Sequence, residues 1–172
     1  MIRIDIPATS ANLGSGFDSL GIALTMCNRV WMEEADELKI TTTDKIKVPT
    51  DETNLIYWAA RHLYQICGKT LPGLHIIQEN NIPMARGLGS SSACIVAGIL
   101  GANRMLGSPM SQSDLINLAA QIEGHPDNTS PAISGGLVAS AMEGKRVYSV
   151  SVPVSGKISF AVMIPPFELK TE

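Results

Sequence analysis

The stretch Asn80-Asn81-Ile82-Pro83-Met84-Ala85-Arg86-Gly87-Leu88-Gly89-Ser90-Ser91-Ser92-Ala93 lies between a short apolar run, Gly73 to Gln78, and a helix-like run, Cys94 to Leu106. Its residue types suit anion binding. First-turn N–H groups of a helix lack intrahelical partners, and the helix dipole is positive at that end. Gly87 and Gly89 let the backbone approach a ligand, the three serines add hydroxyls for phosphate or a metal, and Arg86 adds charge. A plain serine cap after a glycine turn is the competing reading. Two other phosphate loops are excluded. None of Gly68-Lys69, Gly144-Lys145 and Gly156-Lys157 sits in the Gly-x-x-x-x-Gly-Lys-Ser/Thr pattern, and Ser92 stands where a dinucleotide fingerprint starting at Gly87 needs its third glycine.

Two further groups carry reactive side chains. Glu123-Gly124-His125-Pro126-Asp127-Asn128 is a tight turn with carboxylates, an imidazole and an amide. Residue types alone favour Asx-type turn residues there, and a helix-end surface charge is the competing role for Glu123. Asn12 and Asp18 fall in a Gly-, Ser- and Asn-rich loop, where turn formation is their default role.

The elements that must position these groups follow from periodicity. Met1 to Ala8 alternates Ile2, Ile4 and Ile6 with Arg3 and Asp5, predicting a half-buried strand. Leu20 to Glu33, Glu37 to Thr43 and Leu74 to Gln78 read as strands, and Asp44 to Glu52 as a polar connection. Asp51 or Thr53 is expected to cap a helix with the apolar face Leu55, Ile56, Ala59, Leu63 and Ile66, ending at Gly68. A second helix runs from Ser91 to Leu106, and a third starts at Ser111 or Ser113. Strand-like runs Leu137–Met142, Val147–Val154 and Ser159–Ile164 finish the chain. Strands first, then helices between further strands, imply an α+β domain.

With 172 residues, 45% of them hydrophobic and 17% charged, the chain can bury one sizeable core and is not disordered. A net charge of −3 gives no electrostatic reason to expect nucleic acid or an anionic membrane. Trp31, Trp58 and Tyr64 have no interleaved basic patch, and His62 and His75 read as structural. The longest apolar run, Ala93 to Ala102, falls short of the roughly 20 residues that span a bilayer. No secretion signal is evident behind Arg3 and Asp5. Three widely spaced cysteines argue against a disulfide framework and for a reducing cytoplasm.

Ile82 to Ala93 resembles the nucleotide-phosphate loop of the galactokinase, homoserine kinase, mevalonate kinase and phosphomevalonate kinase (GHMP) superfamily at every position of that signature. Pro7-Ala8-Thr9-Ser10-Ala11-Asn12-Leu13-Gly14-Ser15-Gly16-Phe17-Asp18 resembles the amino-terminal motif of its homoserine kinase branch, as does Glu123 to Asn128. The likeness spans nearly the whole chain. It implies a fold like ribosomal protein S5 domain 2 over residues 1–155. Residues 156–172 would then begin a ferredoxin-like carboxyl-terminal domain that is largely missing, along with the superfamily's late glycine-rich motif.

The same resemblance implies ATP and Mg²⁺ as cofactors. It puts Asn54 (equally readable as a helix-start residue), Pro83, Met84, Ala85, Arg86, Gly87, Leu88, Gly89, Ser90, Ser91, Ser92 and Ala93 on the nucleotide, and Ser91 and Glu123 on the metal. Asn12, Asp18, His125 and Asn128 would contact the acceptor, with a buried Asp18 carboxylate suited to a cationic amine. Arg86 and Asp127 would serve the catalytic step, Asp127 either as base or as a positioning group. The implied reaction is phosphorylation of the L-homoserine hydroxyl in threonine biosynthesis, by a cytoplasmic enzyme that is often a homodimer. Another small-molecule kinase of the superfamily, acting on mevalonate or diphosphocytidyl-methylerythritol, and a non-catalytic nucleotide-binding protein of the same fold are the alternatives.

Overall fold

A computed structural model describes residues 1–164. The frame is one long strand. β2 (Leu20–Glu34) pairs antiparallel along one edge with β1 (Ile2–Ala11). Its other edge is divided: Arg29–Glu34 pairs with β4 (Leu74–Glu79), and Leu20–Ile22 pairs with β5 (Leu137–Glu143). β3 (Lys39–Thr42) adds parallel to β4, and β6 (Arg146–Val152) adds antiparallel to β5. The sheet is therefore mixed, with β3–β4 its one parallel pair among the described residues.

Alternation sets which face is covered. In β4, Leu74, Ile76 and Gln78 are buried while His75, Ile77 and Glu79 are half-buried. The buried set meets α1 (Leu55–Ile66) and α2 (Ser90–Met105), forming one core with Val30, Met32, Leu63, Tyr64, Val96 and Ile99. α3 (Gln112–Glu123) and α4 (Thr129–Ser134) close the same side. The Tyr64 hydroxyl donates to Glu34, and burial followed by that carboxylate pushes the phenol well above its usual pKa.

Three expectations need correction. Asn54, rather than Asp51 or Thr53, caps α1: its Oδ1 accepts from Ile56 N at 3.0 Å and Tyr57 N at 3.4 Å, while its Nδ2 donates to Pro49 O at 2.9 Å. Asp51 instead closes its own Asx turn on Thr53 N at 2.9 Å. Asn54→Ala should therefore lower stability by about 1–2 kcal/mol in a denaturant titration, whatever it does to nucleotide binding. Secondly, Thr129–Ser134 forms the helix α4, which was not expected. Thirdly, Ser159–Ile164 is exposed and forms no strand, because no described strand pairs with it. No regular structure occurs over 153–164, and the carboxyl-terminal part of the expected second domain, 165–172, lies outside the described residues. Among the described residues no helix is long and apolar enough to cross a membrane.

Candidate active site

Two cavities share the start of α2. The larger, about 560 Å³, is lined by Asn12, Phe17, Asp18, Arg86, Ser92, Glu123, His125 and Asn128 together with the backbone from Ala85 to Ser91. The smaller, about 270 Å³ and mostly apolar, is lined by Lys47, Val48, Pro49, Asn54, Gln78, Met84 and Cys94, and again by Ala85, Ser90 and Ser91. The apolar pocket and the more polar one share a wall formed by Ala85, Ser90 and Ser91.

That wall is an uncapped helix start. α1 is capped by Asn54, and α3 by a capping box of Ser111 and Asp114. α2 begins at Gly89 with no side-chain cap, and its first intrahelical bond runs from Ala93 N to Gly89 O at 2.8 Å. The amides of Ser90, Ser91 and Ser92 thus precede the helical ladder, at the positive end of the dipole. Every second residue before them, Ala85, Gly87 and Gly89, has φ of 54°, 69° and 65°. Backbone that changes hand in this way turns successive N–H groups toward one concave face. The loop is held from behind: buried Ile82 and Leu88 anchor it in the core, and Asn28 Oδ1 accepts from Asn81 N at 2.7 Å and Ile82 N at 2.8 Å. Arg86 folds over the loop, donating to Ala85 O at 3.0 Å, and lines the larger cavity.

The opposite wall is built around a buried carboxylate. Gly124 ends α3 in the left-handed region, and the turn lands on β2 at Gly21, where an added Cβ would lie 1.8 Å from Asp127 O. The Asp127 side chain is only 1% exposed. Its Oδ1 accepts from His125 Nδ1 at 2.5 Å and from Asn128 Nδ2 at 3.4 Å, while its Oδ2 has no protein partner. His125 and Asn128 line the cavity; Asp127 stands behind them and does not. Asn128 Oδ1 accepts from the hydroxyl of Thr9 at 2.8 Å. Glu123 Oε1 accepts from Ser92 Oγ at 2.8 Å and faces the cavity beside Ser91. Burial, followed by the Glu123 charge, pushes the Cys94 thiol up to about 11.

A sequence profile described as "GHMP kinases N terminal domain" matches residues 54–136. Those residues form a GHMP kinase amino-terminal domain. A curated relative from Clostridium botulinum, named homoserine kinase, is 45% identical over the whole of this chain, which spans 58% of that relative's length. The solved homoserine kinase of Cytophaga hutchinsonii is 31% identical, with a TM-score of 0.77 over 90% of this chain and 52% of its own. At 15% identity, the Methanococcus jannaschii mevalonate kinase shares the fold, with a TM-score of 0.66 over 88% of this chain and 56% of its own.

Against that family's pattern the expected residues divide into groups. Met84 to Ser92, Glu123, His125, Asn128, Asn12 and Asp18 all line one or other cavity, as does Asn54, although its side chain is spent on capping. Pro83 is not among the lining residues, and Ala93 is buried in the core. Asp18 is exposed, not buried, because it sits at φ 52° in a loop pinned by its own N–H donating to Asn12 Oδ1 at 2.8 Å. Asp127, expected at the reacting group, is enclosed. Residues missed from the sequence are Lys47, Val48 and Pro49, whose apolar Val-Pro pair inside a polar stretch was the available signal.

Proposed function

We propose that this chain supplies the ATP-binding and acceptor-orienting part of a kinase that transfers the γ-phosphoryl group of ATP to the hydroxyl of L-homoserine, giving O-phospho-L-homoserine. The observation that carries it is the uncapped start of α2 facing His125 and Asn128 across one cleft. The 45% identity to a named homoserine kinase supports the choice of acceptor.

Phosphoryl transfer asks a protein chiefly for position and charge neutralisation. The amides of Ser90 to Ser92 would hold the phosphates, and Arg86 would swing from its loop carbonyls to add a positive charge. Val48 and Met84 would enclose the base. Ser91 and the free oxygen of Glu123 fit Mg²⁺, a hard cation that takes oxygen ligands and keeps several waters. Bound with the nucleotide, it would neutralise charge on the phosphates. Among the described residues no cluster of three acidic, His or Cys ligands is found, so the ion would depend on ATP for its remaining ligands. Asp127 would work indirectly, holding His125 and Asn128 against the acceptor, while Asp18 offers an exposed carboxylate to its ammonium group.

The test is ADP release by the full-length gene product with Mg-ATP and, separately, L-homoserine, mevalonate or diphosphocytidyl-methylerythritol. Selective turnover of homoserine is expected. Preference for another acceptor would retain the phosphate site and discard the substrate. Nucleotide binding without turnover of any acceptor would leave a binding protein of this fold.

A further inference from the structure

Thr9 lies at an irregularity in the first strand pair. Pro7 pairs with Cys27 but Thr9 with Ala23, so β2 has Leu24, Thr25 and Met26 between those partners where β1 has only Ala8. A regular strand sends successive side chains to opposite faces, yet Ala8 and Thr9 are both buried, at 0% and 1% exposure. Bulges are frequent next to active sites. Here Thr9 reaches both halves of the cleft. The Thr9 N–H donates to Leu88 O at 3.1 Å, and its hydroxyl donates to Asn128 Oδ1 at 2.8 Å. The phosphate loop packs directly on that second bond: a Cβ on Gly89 would lie 2.0 Å from Thr9 Oγ1 and 3.1 Å from Asn128 Oδ1.

We propose that Thr9 is a positioning residue that fixes which end of the Asn128 amide is turned toward the acceptor, and ties that choice to the phosphate loop. The inference rests on the kinase reading above. Asp127 Oδ1 is a carboxylate oxygen and only accepts, so the nitrogen of the Asn128 amide belongs on its side. The amide oxygen then falls to Thr9, whose hydroxyl can donate to it. One N–H of Asn128 remains unengaged on a residue that lines the cavity. Asn128 therefore offers a donor, suited to a lone pair of the acceptor's hydroxyl or carboxylate and unsuited to its ammonium. Without the Thr9 hydroxyl the amide oxygen is unpaired, and the orientation rests on the 3.4 Å contact to Asp127 alone.

Thr9→Val keeps the volume and removes the donor, whereas Thr9→Ser keeps the donor. In the full-length protein Thr9→Val should lower kcat/KM for homoserine about tenfold or more, while the dissociation constant for Mg-ATP, measured by calorimetry, changes less than about threefold. Thr9→Ser should stay within about threefold of the parent on both. In an Asn128→Ala background Thr9→Val should add nothing further. Equal losses of ATP affinity and of acceptor turnover, additive effects with Asn128→Ala, or a Thr9→Ser variant as poor as Thr9→Val would each overturn the proposal. The side-chain NH₂ signals of Asn128 in a ¹H–¹⁵N spectrum give a readout free of catalysis. They should shift in Thr9→Val and hold in Thr9→Ser. If the parent fails to phosphorylate homoserine, the function reading falls, and the spectrum alone decides the role of Thr9. An unchanged NH₂ signal in Thr9→Val refutes that role.

Discussion

Gly89→Ala should reduce Mg-ATP affinity by about 100-fold or more and lower the melting temperature by several degrees. Two independent costs meet at this residue. Its φ of 65° costs an alanine about 1 kcal/mol or more. Its Cβ would also sit 2.0 Å from Thr9 Oγ1, whose hydroxyl donates to Asn128 Oδ1. Either the loop lifts off Thr9 or Thr9 leaves Asn128. A shift of about an ångström at the start of α2 would take the Ser90–Ser92 amides out of line with a phosphate, and losing one or two hydrogen bonds to a charged group, at about 1.5–3 kcal/mol each, is about 100-fold in affinity. The overpacking itself is worth roughly 1–3 kcal/mol. Calorimetric titration with Mg-ATP and a thermal melt read the two effects separately. Truncating Thr9 to Ala should relieve part of the stability loss, so that the double variant is less destabilised than the sum of the singles. Strict additivity would mean that the clash with Thr9 is not the cause.

Asp127 gives the second large effect, and the choice of substituent separates two roles. Asp127→Ala deletes a buried acceptor shared by His125 and Asn128, leaving both donors without it and a void beneath the turn. A loss of about 2–4 kcal/mol in stability is expected, with acceptor turnover reduced 100-fold or more. Asp127→Asn is milder for a geometric reason. One carboxylate oxygen makes both bonds and the other makes none, so an amide can keep its oxygen toward His125 and Asn128 and put its NH₂ in the unpartnered place. Turnover within about tenfold of the parent is expected for Asn. A base that takes the hydroxyl proton directly predicts the opposite pattern, with Asn about as damaging as Ala and a fall of 10²-fold or more. Steady-state rates of the two variants on homoserine, beside their unfolding curves, decide between the patterns.

The parts of the site legible in the sequence are those made by local chemistry. The run from Gly87 to Ser92 needs only its own backbone and the helix it opens, so residue types disclose it. His125, Pro126 and Asp127 likewise announce a turn. What stayed hidden depends on partners distant in the chain. The contacts of Thr9 are with Asn128 and Gly89, far along the chain, and exist only once the strand, the loop and the turn meet. α4 has six residues and contains Pro131, and it exists because Thr129 to Ala132 are buried, a tertiary effect that outweighs weak helix preference. The enclosure of Asp127 depends on Gly21, whose missing side chain lets the turn approach β2 so closely. Ser159–Ile164 shows the converse, since alternating apolar residues make no strand without a neighbour to pair with.

The division of β2 between β4 and β5 has a consequence for the order in which a growing polypeptide acquires its parts. If elements pair as they are synthesised, the far half of β2 can meet β4 once residue 79 is available, with the loop and α2 next in the chain. The near half, at Leu20 to Ile22, keeps an open edge until Leu137 to Ala139 leave the ribosome, and Asp127, Asn128 and α4 arrive only just before them. Pairing over so long a separation forms slowly. The wall at the start of α2 is thus expected to be complete before the wall that carries His125 and Asn128.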